Sequence, residues 1–187
     1  MVVILGLLLA ACSSRAAAPA APIALAPPAA DEAVVVFMRP SSAGEMYSTS
    51  LFELHAAGDR FVGTLKGQSR LAYRVKPGRT RFMVVSVGGS DHYIDADLAG
   101  GKTYFAIVEY GATAGRAQYI LRPMTAADQQ DADFKACSAV CPWVENNERS
   151  LAWARQHMAE IARRKARSLP AWESQPDRRS LTAADGR

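Results

Sequence analysis

Three short stretches carry side chains able to do chemistry. Asp91-His92 is followed by Asp95 and Asp97, which sets an imidazole among carboxylates. That spacing suits proton exchange, or a calcium ion if a neighbouring strand adds oxygens; the alternative is a solvated strand face after the Gly-Gly-Ser turn before it. Cys137 and Cys141 form C-x3-C, which leaves open a disulfide, two buried thiols, or metal and redox work. In a regular helix that spacing holds the Cα atoms about 6 Å apart, near the limit for a bridge, and Pro142 implies an irregular backbone there. The run Arg163-Arg164-Lys165-Ala166-Arg167 offers a cationic surface to lipid head groups, peptidoglycan carboxylates or an acidic protein, unless it is an ordinary exposed helix face. No Gly-x-Ser-x-Gly elbow, phosphate loop, His-Glu-x-x-His pair or dinucleotide fingerprint appears. The expectation is a chain with no catalytic residues, no cofactor and no metal site.

The third cysteine stands apart. "MVVILGLLLAA" is shorter than the roughly 20 residues of a membrane span and ends on Cys12. It fits the core of an export signal, although no Lys or Arg precedes it and the start codon is expected upstream. Leu9-Ala10-Ala11-Cys12 resembles the lipobox of bacterial lipoproteins, in which the cysteine thiol takes a diacylglyceryl group and becomes the first residue after cleavage. Three acyl chains suffice for stable attachment. Ser13, where an aspartate commonly means inner-membrane retention, resembles the outer-membrane default. The resemblance implies anchoring in the inner leaflet of the outer membrane, facing the periplasm. With Cys12 lipidated, Cys137 and Cys141 become an even pair in an oxidising compartment, and a disulfide is the expectation. Export also removes nucleic acid as a partner for the arginine run, despite the net charge of +4.

These residues need elements to hold them. Residues 12–32, lipidated Cys12 and an alanine- and proline-rich run, read as a semi-rigid tether after a leader over 1–11. From Ala33 short runs of Val, Phe, Tyr and Ile alternate with Gly, Pro, Ser and Asp, beginning with "AVVVFMRP" and ending with "GRAQYILRPM". Gly58-Asp59 reads as a hairpin turn, and Pro77-Gly78 as a turn in which the glycine takes positive φ. Tyr104, Ala106, Val108 and Tyr110 share a face. About seven or eight strands at such spacing predict an all-β fold, a single antiparallel sandwich over 33–124. A helical extension over 125–170 follows, with Asn147 as N-cap, an apolar stripe at Leu151, Ala154, Met158 and Ile161, and Pro170 as its stop. Arg155, Arg163, Arg164 and Arg167 are expected mostly outward, and residues 171–187 read as a disordered tail.

In order along the chain, Arg39-Pro40, the hairpin from Gly58 to Leu65, Pro77-Gly78-Arg79 and Gly101-Lys102-Thr103-Tyr104 resemble the pattern of bacterial lipoproteins in domain-of-unknown-function family 2846. The hairpin and the Pro-Gly turn are also similar to β-sandwich modules of the PEGA kind. The resemblance covers roughly residues 33 to 124 and carries over no catalytic residue. It implies a non-catalytic binding or scaffolding module; the alternative is a ligand-binding or enzymatic accessory domain using the Asp91–Asp97 segment.

Overall fold

A computed structural model describes residues 25–44, 46–86, 91–113 and 116–187. The leader, Cys12 and the first part of the tether lie outside the described residues, as does the Gly-Gly-Ser turn before Asp91.

β1 (Ala33–Arg39) is buried at every position. Its run of uninterrupted apolar residues has no polar side to turn to solvent, which is the signature of a strand covered on both faces. β1 lies inside a four-stranded sheet, between β4 (Ser69–Val75) and β7 (Thr103–Thr113), with β8 (Arg116–Pro123) beyond β7. The second sheet runs β3 (Arg60–Leu65), β2 (Thr49–Leu54), β5 (Gly78–Ser86), β6 (His92–Leu98) and β9 (Ser180–Leu181). Val35, Phe37, Leu51, Phe82, Val84, Ile94, Tyr104 and Val108 fill the space between the sheets.

The fold is mostly β, as expected, but both sheets are mixed rather than antiparallel. β1 pairs parallel with β7, and β6 pairs parallel with β9. Strands joined by a tight turn must run antiparallel, whereas these partners are far apart in the chain and free of that constraint. Pro77-Gly78 therefore turns the chain from one sheet to the other, because β4 and β5 belong to different sheets. Gly78 has φ +118°, a conformation that L side chains rarely adopt.

A helix covers the outer face of each sheet. α1 (Ala132–Val140), N-capped by Asp131, presses Phe134 and Cys137 onto Val34, Val36, Met38 and Phe105. α2 (Glu148–Glu173) packs Ile161 and Trp172 on Phe52, Met83, Val85 and Tyr93. Its N-terminus is a capping box between Asn147 and Ser150. Ala154 and Ile161 are buried as the stripe predicts, whereas Leu151 is 39% exposed, one turn short of the sheet. Pro170 does not stop α2; it removes one backbone donor, but Trp172, packed 5.4 Å from Tyr93, holds the last turn in place. Among the described residues no helix is long and apolar enough to cross a membrane.

The expectation of a frayed tail is also corrected. After α2 the chain lays Ser180 and Leu181 along Asp95 and Ala96. Asp185 then accepts from the amide and hydroxyl of Thr182 and from the Ala126 amide, and Arg187 exchanges two backbone bonds with Thr103. One apolar side chain in a polar stretch looks unfoldable from local composition, yet Leu181 is 1% exposed because the end of the inter-sheet core receives it.

Candidate functional site

The Asp91–Asp97 segment lies at the start of and along β6, whose alternation divides its polar groups. His92 sits opposite Val84 in register and so shares the face of Ile94 and Ala96, toward the inter-sheet core. Tyr93, Asp95 and Asp97 share the outer face, which α2 covers in part. The structure therefore does not gather His92 with Asp95 and Asp97.

His92 closes a seam. Its Nδ1 accepts the backbone N–H of Leu121 at 3.2 Å, bridging β6 to β8 where the two sheets meet at their edges. Burial disfavours the charged ring and lowers its pKa. As pH falls, the unfolded chain takes up this proton first. The contribution of His92 is complete above the ordinary histidine range, about 6.5, and is lost as pH drops below it. Urea melts of wild type between about pH 7.5 and 5.5 are expected to show this loss, and His92→Gln to show a smaller one. Equal losses would sink the assignment.

The three carboxylates have different fates, and α2 takes up one of them, Asp91. Asp91, 5% exposed at its side chain, is clamped by Arg164 and accepts the Ser168 hydroxyl at 3.2 Å. Arg164 also donates to the Ser86 carbonyl at 3.1 Å. Ser168 in turn contacts the Tyr93 hydroxyl at 2.6 Å, and burial pushes that phenol up to about 12. Asp95 pairs with Arg81 at 2.6 Å, and Arg81 reaches on to Glu173 at 2.5 Å. Asp97 is exposed opposite Arg79.

The arginine run splits in the same way. Arg163 and Arg167 point to solvent together with Arg155. Arg164, expected outward, is turned inward, and Lys165 is turned with it onto Asp59, 2.6 and 2.8 Å from the two carboxylate oxygens. The Asp59 side chain is only 4% exposed, so this pair is partly desolvated. Residues 164, 165 and 168 occupy one helical face, while 163 and 167 occupy the next.

Two charged groups escape the sequence reading. Glu53 is 2% exposed and faces the other sheet, from which it accepts Tyr73 at 2.7 Å; within its own sheet it accepts Thr80 of β5 at 3.0 Å and lies 2.9 Å from His55. Burial alone raises its pKa, but the bonds from Tyr73, His55 and Thr80 outweigh that and hold it low. Its placement among Leu51, Glu53 and His55, opposite in phase to Phe52 and Leu54, was the available signal. Arg39 is fully buried and donates to the carbonyls of Tyr47, Ala43 and Gly44 at 2.7, 2.9 and 2.8 Å. Its guanidinium stacks 4.7 Å from the Tyr119 ring. Gly44, at φ +68°, lets the loop approach so closely that a Cβ would sit 2.4 Å from the Tyr119 hydroxyl.

Cys137 and Cys141 stand together at the end of α1, with the two sulfurs 2.07 Å apart. Cys141 has left the helix, at ψ 128°, which supplies the irregular backbone that Pro142 implies. Among the described residues no group of three or more His, Cys, Asp and Glu side chains is arranged to hold a metal ion. What remains open on the sheet face beside α2 is a cleft of about 780 Å³ lined by His55, Arg79, Arg81, Asp95, Asp97 and Lys165. Its polar walls carry both signs of charge; Arg81 and Asp95 pair with each other, while Lys165 is held by Asp59 and His55 lies against Glu53.

No family model and no curated protein matches this chain.

Proposed function

We propose that the protein is an envelope lipoprotein, held at the inner leaflet of the outer membrane through lipid on Cys12, whose folded part is a non-catalytic binding or scaffolding module. The lipobox-like Leu9-Ala10-Ala11-Cys12 and the resemblance to family 2846 support the anchor. The observation that carries the module reading is the commitment of Asp91, His92, Asp95, Arg164 and Lys165 to the fold itself. His92 turns away from Asp95, while Asp91, Asp95 and Lys165 each hold a partner across an element boundary. The Cys137–Cys141 bridge belongs to the same reading, as a staple formed in an oxidising envelope.

The cationic face left for a partner is Arg155, Arg163 and Arg167 on α2. The first described tether residues lie beside Val36 and Met38 on the outer face of the first sheet, whereas α2 covers the outer face of the second. Of the anionic targets in an envelope, peptidoglycan carboxylates are the proposed partner for this face. Cells making wild type, Cys12→Ala and the Arg163→Glu/Arg167→Glu double variant test both parts. Palmitate labelling is expected in all but Cys12→Ala, and sedimentation with purified sacculi at low salt is expected to fall about tenfold in the double variant. Equal labelling of Cys12→Ala overturns the anchor, and unchanged sedimentation overturns the peptidoglycan partner.

A second reading, ligand binding at the Asp91–Asp97 segment, is favoured by one observation, that Asp95 and Asp97 line the large cleft beside α2.

A further inference from the structure

On the opposite side of the molecule, a cleft of about 450 Å³ opens over the outer face of the first sheet. Val36, Met38, Phe105 and Trp143 give it an apolar floor and wall. Leu25, Pro27 and Pro28 form one rim, where Arg74 donates to the Ala26 carbonyl at 3.2 Å and pairs with Glu32. The lining holds two cations, Arg70 and Arg187, and no side-chain carboxylate. Each guanidinium sits over a ring, Arg70 at 4.1 Å from Trp143 and Arg187 at 4.5 Å from Phe105. Stacking satisfies the faces of these groups but not their N–H edges.

Two polar atoms here have no hydrogen-bond partner. The Nε of Arg70 and the hydroxyl of Ser138 are both buried and unpaired, and both residues line this cleft. Arg70 is otherwise anchored, one Nη donating to the Ser138 carbonyl, so the two orphans are carried by residues in direct contact. Such unsatisfied groups are rare in folded proteins.

We propose that this cleft binds a single-chain anionic amphiphile, its acid group received by Arg70, Ser138 and Arg187 and its apolar body lying on Val36, Met38 and Phe105. The lining carries two guanidiniums and no side-chain carboxylate, and the volume lies within the range of small-molecule sites, about 300–1,000 Å³. The inference does not rest on the lipid anchor or on the peptidoglycan partner, and it fails or stands independently of them.

The test is calorimetric titration of the full chain with laurate, with lauryl phosphate and with dodecanol, each below its micelle concentration. Laurate or lauryl phosphate is expected to bind at least tenfold more tightly than dodecanol, and whichever is tighter identifies the headgroup. Ser138→Ala removes an orphan hydroxyl. It is expected to leave the thermal midpoint of the free protein unchanged or raised, while weakening the anionic ligand about tenfold, the equivalent of one charge-assisted hydrogen bond. Arg187→Gln, which leaves the backbone pairing with Thr103 intact, is expected to weaken it as well. Binding of none of the three probes, equal binding of dodecanol, or undiminished binding to both variants means that the cleft holds water only and overturns the proposal.

Discussion

Arg39→Met is expected to lower the unfolding free energy by about 3–5 kcal/mol, as expected when a buried charge-assisted network loses its donor. The native guanidinium answers three loop carbonyls and contacts the Tyr119 hydroxyl at 3.1 Å, all from a fully buried position. Methionine fills much of the volume but leaves three part-buried carbonyls without their charged donor. Ala43, Gly44 and Tyr47 all converge on this one side chain, so the loss is cooperative. For a chain of this length the thermal midpoint is expected to drop by roughly 2–4 °C per kcal/mol. Arg39→Lys keeps the charge but cannot fan donors toward three carbonyls, and should fall between wild type and Arg39→Met. A urea-derived loss below about 1 kcal/mol for Arg39→Met would show that the loop oxygens are served by solvent after all.

The second large effect lies at the other end of the sandwich. Leu181→Ala is expected to cost about 2–5 kcal/mol, the range for emptying a buried leucine site. Leu181 joins Ala96, Leu98 and Tyr104 in the inter-sheet core, and its loss also weakens the two-residue pairing with β6. The tail is then expected to open as a unit, with faster amide exchange at Thr103 and Thr182, whose N–H groups are held by Arg187 and Asp185. A loss under about 1 kcal/mol with unchanged exchange at both amides would mean that the tail rests on a core complete without it.

These two sites mark the limit of what local sequence patterns reveal. The eight strands from β1 to β8 were legible because each is a short apolar run closed by Gly, Pro or Asp. Their pairing was not, since hairpin signals report only partners adjacent in the chain; the unbroken apolar run of β1 was the clue to a central, doubly covered strand. The ninth strand rests on one leucine and a long-range contact, which no window around residue 181 contains. At the candidate site, the carboxylates and the arginine run stand out in the sequence as clustered charge. What was missed was phase. His92 shares parity with Ile94 and Ala96, not with Asp95 and Asp97, and Arg164 and Lys165 share a helical face with Ser168. Both facts follow from counting residues once the element is known. The burial of Glu53 is of another kind, because it depends on Tyr73 in a sheet that the hairpin pattern does not join to β2.

The placement of β1 has a mechanical consequence. The tether runs into β1 at Ala33, and β1 is zipped on one side to β4 and on the other to β7. A pull applied through the tether is directed along the strand axis and loads both ladders in shear, so their hydrogen bonds resist together instead of parting one at a time. Just before the strand, the carbonyls of Ala29 and Glu32 both accept the Gly101 amide, a clip that meets the load first. A module hung from a membrane by its first strand and gripping a rigid wall by its far helix would be strained along this line, and the fold puts its most fully buried strand there.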